Sequence, residues 1–333
     1  MGPRLKVLLV GGGGIGVIAA LSLEANAQVN VTIALRSNYS TVVEKGYDIT
    51  SCDHGELKGW RPAQVTNHVP VVSPGEIPFD YIVVATKNVP SGGVSMADII
   101  SPAVTPETTT LVLIQNGLNV EKPYSARFPQ NVILSGVSYA GSQEVQHGTI
   151  FHGSHDSLEI GAFRNCNIQN AREMAVAKHF VSLYAASGKA SCQFAPDVQH
   201  DRWRKLVYNA TINPLCAITG LDTGSLRRSG PFVSKILEDG MAEIIAVAAA
   251  TGHIFPKALS QELLDLDPME GRFEPSMLQD SKKGNPIEYE YLVGEPLREG
   301  IRMSIPMPTI SVLYALCEAI HFKNGAKSSK IKR

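Results

Sequence analysis

LKVLLVGGGGIG, residues 5–16, sets the architecture of the first half of the chain. An apolar run with a single lysine, Lys6, stopped by four glycines has the pattern of a strand buried in a parallel sheet. Gly11, Gly13 and Gly16 satisfy G-x-G-x-x-G directly after that run. The Ala- and Leu-rich stretch from Ile15 to about Ala27 reads as a helix, and VNVTIAL at 29–35 reads as the next strand. Strand, glycine turn, helix and second strand in this order give the motif its meaning as a dinucleotide loop. Glycines permit the tight turn and let backbone come close to a pyrophosphate. The helix N-terminus then offers unsatisfied N–H groups and a partial positive charge.

Outward from this stretch, strands are predicted at Tyr81–Thr86, Thr110–Ile114, Val132–Val137 and Ser191–Phe194, with helical segments between several of them. A last helix of this region is predicted over about Gln169–Ala186, stopped by Ser187-Gly188. After Pro196 the texture changes, and 198–220, 231–252 and 309–323 read as long helices. Residues 255–308 are richer in Pro and Gly, with helical stretches within 276–300. The expected fold is α/β: an N-terminal Rossmann-type parallel-sheet domain at 1–194, a mainly α-helical domain at 195–326, and a basic flexible tail at 327–333.

Composition narrows the partners. The chain has 333 residues, 44% hydrophobic and 18% charged, the balance of a globular protein of about two domains. Thirty Lys and Arg nearly match 31 Asp and Glu, which argues against a nucleic-acid binder. Lys323, Lys327, Lys330, Lys332 and Arg333 crowd the last eleven residues; without these five, 25 basic residues face 31 acidic ones, or −6 over residues 1–322. The end reads as a solvated terminus. Cys52, Cys166, Cys192, Cys216 and Cys317 form no C-x-x-C pair, so neither a disulfide framework nor a structural metal is expected, and a reducing compartment fits. The nine histidines show no H-E-x-x-H; His152, His200 and His253 read as structural or surface residues. No apolar run is long enough for a membrane span, and the apolar run at Leu5 leaves no room for a leader, so a cytoplasmic location is expected.

The end of the second strand selects the dinucleotide. An NAD site usually places Asp or Glu there for the ribose 2′-hydroxyl, whereas this chain has Ala34-Leu35-Arg36-Ser37-Asn38. A guanidinium suits a 2′-phosphate, because it makes charge-assisted and often bidentate bonds to phosphate oxygens. Arg36 therefore points to NADP(H).

In the second half, RWRKLVYNATINPLCAITG at 202–220 places Lys205, Asn209 and Asn213 at i, i+4 and i+8, one ridge of a single helix. Leu206, Val207, Ile212, Leu215 and Ile218 around them are apolar, and a cation with two amides on an enclosed helix is costly unless something polar meets them. Pro214 is expected to bend that helix beside Asn213. Trp203 and Tyr208 read as packing residues. A second segment, PSMLQDSKKGNPIEYEYLVGEP at 275–296, carries Ser276, Asp280 and Glu288.

Together with ATKN at 85–88, IQNG at 114–117 and the late Gly300, Pro306 and Pro308, these pieces in this order resemble the ketopantoate reductase family (2-dehydropantoate 2-reductases) over nearly the whole chain. The resemblance implies NADPH-dependent reduction of a 2-oxo acid to a 2-hydroxy acid in a cleft between the two domains. Ketopantoate to pantoate, a step of pantothenate and CoA biosynthesis, is the reaction it points to. By match of motif, Lys205 is the general acid and Glu288 binds the substrate hydroxyl and helps position the lysine. Asn209, Asn213 and Ser276 hold substrate oxygens, and Asn116 serves cofactor and substrate. Gly11, Gly13, Gly14, Ile15, Gly16, Arg36 and Lys87 are the cofactor residues, with Lys87 near the nicotinamide; Asp280 is a structural partner. The expected partners are a small 2-oxo acid and NADP(H), with no metal, nucleic acid or membrane, in a monomer or homodimer.

The chemistry agrees, since a cation at the carbonyl oxygen stabilises the charge that hydride addition develops. The sequence departs from the family pattern at Val293-Gly294, where Asn usually precedes the Gly, and at Lys283-Gly284-Asn285-Pro286, which interrupts the path from helix to Glu288. A relative acting on another 2-oxo acid or bulkier carbonyl, or a non-catalytic NADPH-binding or sensing protein, are the alternatives. Dehydrogenases of the 6-phosphogluconate and hydroxyisobutyrate type share the expected domain order but match these residues less well. With the chain outside its tail net acidic, positive charge for anionic ligands is placed locally, at Arg36, Lys87, Lys205 and a helix N-terminus.

Overall fold

The computed structural model describes residues 4–25, 27–89 and 93–331, with side chains described to residue 324. The side chains of the tail expected at 327–333 lie outside the described residues; its backbone, described to residue 331, ends the helix Pro308–Ile331. The chain divides into two compact units. One comprises Met1–Lys87, Gly93–Gln115 and Val120–Val198; the other comprises Asn88–Gly92, Asn116–Asn119 and Gln199–Arg333. Two short segments of the first half thus belong with the helical residues.

The strands of the first unit are β1 (Leu5–Val10), β2 (Val29–Ala34), β3 (Tyr47–Ser51), β4 (Gly55–Trp60), β5 (Gln64–Thr66) and β6 (Tyr81–Val84), then β7 (Thr110–Leu113), β8 (Ile133–Ser138), β9 (Gly141–Gln146), β10 (Thr149–Ser154), β11 (Ser157–Ala162) and β12 (Ser191–Phe194). Eight form one sheet in the order β12-β11-β8-β7-β6-β1-β2-β5. The six strands from β8 to β5 run parallel, while β11 is antiparallel to β8. Both faces are covered. Val7 and Leu9 pack with Val17, Ile18 and Phe180 of the helices Gly14–Glu24 and Asn170–Ala185. Leu8 and Val10 pack with Ala97, Ile100 and Tyr124 of the helices Met96–Ile100 and Lys122–Arg127. A strand buried on two sides needs apolar residues at every position, which is why LKVLLV scarcely alternates. The order reverses at β1, with β2 on one side and β6 on the other, so the glycine loop emerges at the switch point of the sheet.

A second sheet, β4-β3-β10-β9, was not anticipated in the sequence reading. Its strands are short and polar, as in GELKGW and GSQEVQ, and only one face is enclosed, by residues such as Tyr47, Ile49 and Ile150. Strands of that kind carry a weak apolar pattern.

The second unit is helical. Trp203, Leu206, Val207, Met241, Ile244, Leu278, Val293 and Ile310 share one core, and Leu118 of the short segment Asn116–Asn119 lies in it. The single helix expected over 198–220 is two, Val198–Asn209 and Ile212–Thr219. The first ends where Thr211 Oγ1 donates to the Val207 and Tyr208 carbonyls. Pro214 becomes the third residue of the next helix, where its missing N–H costs no intrahelical bond. The chain therefore breaks at Ala210-Thr211, two to three residues before Asn213, so Lys205 and Asn209 share one helix and Asn213 lies on the next. Among the described residues no helix is long and apolar enough to cross a membrane.

Candidate functional site

The glycine loop is packed closely on one side and open on the other. Gly11 has φ +112, and a Cβ there would sit 2.8 Å from the Thr86 nitrogen. A Cβ at Gly16 would overlap the Gly11 carbonyl oxygen, and one at Gly14 would lie 2.5 Å from the Gln143 nitrogen. Gly13 differs, because a Cβ there meets open space. Gly13 is also the N-cap of the helix Gly14–Glu24, in extended conformation and with no side-chain cap. The backbone N–H groups of Gly14, Ile15 and Gly16 open that helix, and no side chain of the cap satisfies them. Close packing behind and clear space in front fit a pyrophosphate. Arg36, two residues after β2, is exposed, and its side chain makes no hydrogen bond or ion pair among the described residues. Lys87 is exposed and follows β6 by three residues.

In the second unit Lys205 is half-buried on the helix Val198–Asn209, and its Nζ donates to Asn116 Oδ1 at 2.7 Å. The loop carrying Asn116 is held firmly. The Gly117 carbonyl accepts from the buried Arg202 guanidinium at 2.7 Å, and Leu118 N–H donates to the Tyr291 carbonyl at 2.8 Å. Gly117 has φ +106, and a Cβ would lie 2.5 Å from Tyr291 Cβ. Asn119 Nδ2 donates to Glu295 Oε2 at 2.6 Å and to Glu299 Oε1 at 3.1 Å.

Glu288 is 7% exposed and lies just before the wide π turn Glu290–Gly294; its Oε1 accepts from the Asn88 backbone N–H at 2.7 Å. The preceding helix Ser276–Lys283 does stop at Gly284, in left-handed conformation. Asn213 is 4% exposed, and its Oδ1 has no hydrogen-bond partner among the described residues. A buried carbonyl oxygen left without a donor is costly, and a donor from a ligand would remove that cost. Asn209 is the last residue of the helix that bears Lys205. Ser276 is exposed and opens a helix that packs on Ile212–Thr219. Val293, where the family pattern has Asn, is fully buried in the core. Tyr208 donates to Asp267 Oδ2; burial first, and that bond second, push its hydroxyl far above the usual phenol range, so it stays protonated.

The structure thus brings Lys205 to Asn116 and Glu288 to residue 88. Sequence reading missed the supports: Arg202 stood inside the quoted helix without a role, and the backbone of Asn88 carries no side-chain signal.

Cys52, Asp53 and His152 also come together, their donor atoms within 4.8 Å of one another. Both Asp53 oxygens are engaged, Oδ1 with His155 Nδ1 at 2.8 Å and Oδ2 with the Asp156 N–H at 2.8 Å. Ser51 Oγ accepts from the Asp53 and His54 N–H groups, which leaves its proton for His152 Nδ1 at 2.9 Å. Asp53 and His152 Nδ1 are thus already tied into hydrogen bonds of the fold.

A glycine-loop parallel-sheet unit and a helical unit carrying a polar-anchored lysine are the build of the two-domain dinucleotide-dependent oxidoreductases. The profile of "Ketopantoate reductase PanE/ApbA" matches residues 7–165, and that of "Ketopantoate reductase PanE/ApbA C terminal" matches residues 197–321. The chain belongs to the ketopantoate reductase family. It is 35% identical to the uncharacterized protein YDL144C of Saccharomyces cerevisiae, over 98% of this chain and 96% of that one. It is 27% identical to the 2-dehydropantoate 2-reductase of Nostoc sp., over 93% of each. The solved 2-dehydropantoate 2-reductase from Methylococcus capsulatus superposes with a TM-score of 0.81 at 28% identity, covering 96% of this chain and 98% of that one.

Proposed function

We propose that this chain reduces a 2-oxo acid to a 2-hydroxy acid with NADPH, and that ketopantoate is its substrate. The observation that carries the reading is the half-buried Lys205 ammonium held on Asn116 Oδ1 at 2.7 Å. An ammonium anchored on an amide oxygen is held in a defined orientation, as a general acid requires. NADPH, when bound, would supply the hydride, and Lys205 Nζ would give a proton to the carbonyl oxygen. Asn213 presents a buried acceptor oxygen with no partner among the described residues, which suits a substrate that carries a hydroxyl, as ketopantoate does, and Glu288 is the second residue assigned to that hydroxyl. Asn209 and Ser276 supply further polar contacts to the acid. The loop from Gly11 to Gly16 would hold the phosphates of the dinucleotide, Arg36 its 2′-phosphate and Lys87 its nicotinamide end.

The test is a panel of 2-oxo acids, ketopantoate and bulkier analogues included, scored by loss of NADPH absorbance and by kcat/KM with NADPH and NADH. Turnover of ketopantoate with NADPH preferred supports the reading. Turnover of another acid only would reassign the substrate. Binding of NADPH with no oxidation by any acid would make the protein a non-catalytic binder.

A further inference from the structure

The second sheet has no role in the reading above, yet it reaches the glycine loop. Asn38 is buried two residues beyond Arg36, and its Nδ2 donates both protons, one to the Gly12 carbonyl at 2.9 Å and one to Glu144 Oε1 at 2.9 Å. Two acceptors on one nitrogen fix the amide orientation. Glu144 lies on β9 of the second sheet and also accepts from the Gly148 N–H at 3.0 Å. Tyr47, on β3 of the same sheet, donates its hydroxyl to the same Gly12 carbonyl at 3.3 Å. The backbone of Ser142 and Gln143, next to Glu144, backs directly onto Gly14.

These bonds act on one peptide plane. In a trans peptide the C=O and the following N–H point in opposite directions. Drawing the Gly12 carbonyl toward Asn38 and Tyr47 therefore turns the Gly13 N–H the other way. We propose that Asn38, oriented by Glu144, is a positioning residue for dinucleotide phosphate: it locks the Gly12–Gly13 peptide so that the loop is preset for the anion, and the second sheet is the brace that holds it. The inference rests on the dinucleotide reading of the loop. It adds that affinity depends on a carboxylate 106 residues from Asn38 in sequence. It also separates two functions of one short segment. Arg36 reads the 2′-phosphate, whereas Asn38 serves phosphate that NADPH and NADH share.

The test measures Kd for NADPH and NADH by titration of the full-length chain, together with KM and kcat and with amide hydrogen exchange of residues 12–16 in the ligand-free protein. Asn38→Ala is expected to weaken both dinucleotides about tenfold, with their ratio unchanged, KM raised and kcat within about threefold. Exchange at the loop should quicken without ligand. Glu144→Leu should act in the same direction. Glu144→Gln keeps an acceptor for Asn38 and should restore binding to within about threefold. If Asn38→Ala does not fold, the two Glu144 variants carry the same comparison. Unchanged affinity and exchange in Asn38→Ala, or in Glu144→Leu, would overturn the brace while leaving the dinucleotide reading intact. Wild-type protein that binds neither dinucleotide would overturn that reading first, and the brace with it.

Discussion

The two units hold their sites by different means. In the parallel-sheet unit the proposed anion cradle is backbone: Gly11, Gly14 and Gly16 are packed against main chain, and Gly13 faces open space. In the helical unit the candidate site is made of side chains, Lys205 on Asn116 and a buried Glu288, drawn from segments far apart in sequence. A backbone cradle is specified by a few contiguous residues whose lack of a side chain is the signal. A side-chain site is specified by distant residues, each ordinary by itself. The first should therefore respond to added volume and the second to removed function.

The largest effect should come from the side-chain site. Lys205→Ala is expected to lower kcat by roughly 10²–10⁴-fold while NADPH affinity stays within about threefold. A loss under about tenfold would end the general-acid role and blur the contrast between the units. Arg36→Ala should be milder and selective, weakening NADPH by roughly ten- to a hundredfold with NADH little changed. An unchanged preference between the two, read by titration, would remove the 2′-phosphate assignment. The smallest effect is expected at Gly13→Ala, where an added methyl meets nothing in the fold and φ is −82. Thermal unfolding should place its stability within about 0.5 kcal/mol of wild type, even as dinucleotide affinity falls. A substantial loss of stability there would show that the open space is not open.

Much of the parallel sheet was legible in the sequence, because strands buried on both faces must be apolar throughout. β1 and β7, inside the sheet, fall within a residue or so of expectation, as do the part-exposed β2 and β12. The second sheet was not legible. Its alternation, as in Tyr47-Asp48-Ile49, is short and interrupted by turns, and β3 pairs with β10 a hundred residues later. The break at Ala210-Thr211 was not legible, because Pro214 fits both a bend in a continuing helix and the first turn of a new one, where it is cheapest. Lys205, Asn116 and Glu288 were found by resemblance, but the bond between the first two spans 89 residues and could not follow from local pattern. Asn38 was in view beside Arg36, and only its burial and its two acceptors give it a role.

The segment Asn116–Asn119 has a practical consequence for dissecting the molecule. It lies inside the first half of the chain, yet Leu118 fills the helical core and Gly117 and Asn119 engage Arg202, Glu295 and Glu299. A recombinant piece starting near residue 195 would be born with a hole in its core, a buried guanidinium short of an acceptor and two glutamates short of a donor. The helical half is thus not a module that can be cut out or transplanted at one site. Any graft or split-protein design must carry these four residues along, or supply them on a linker.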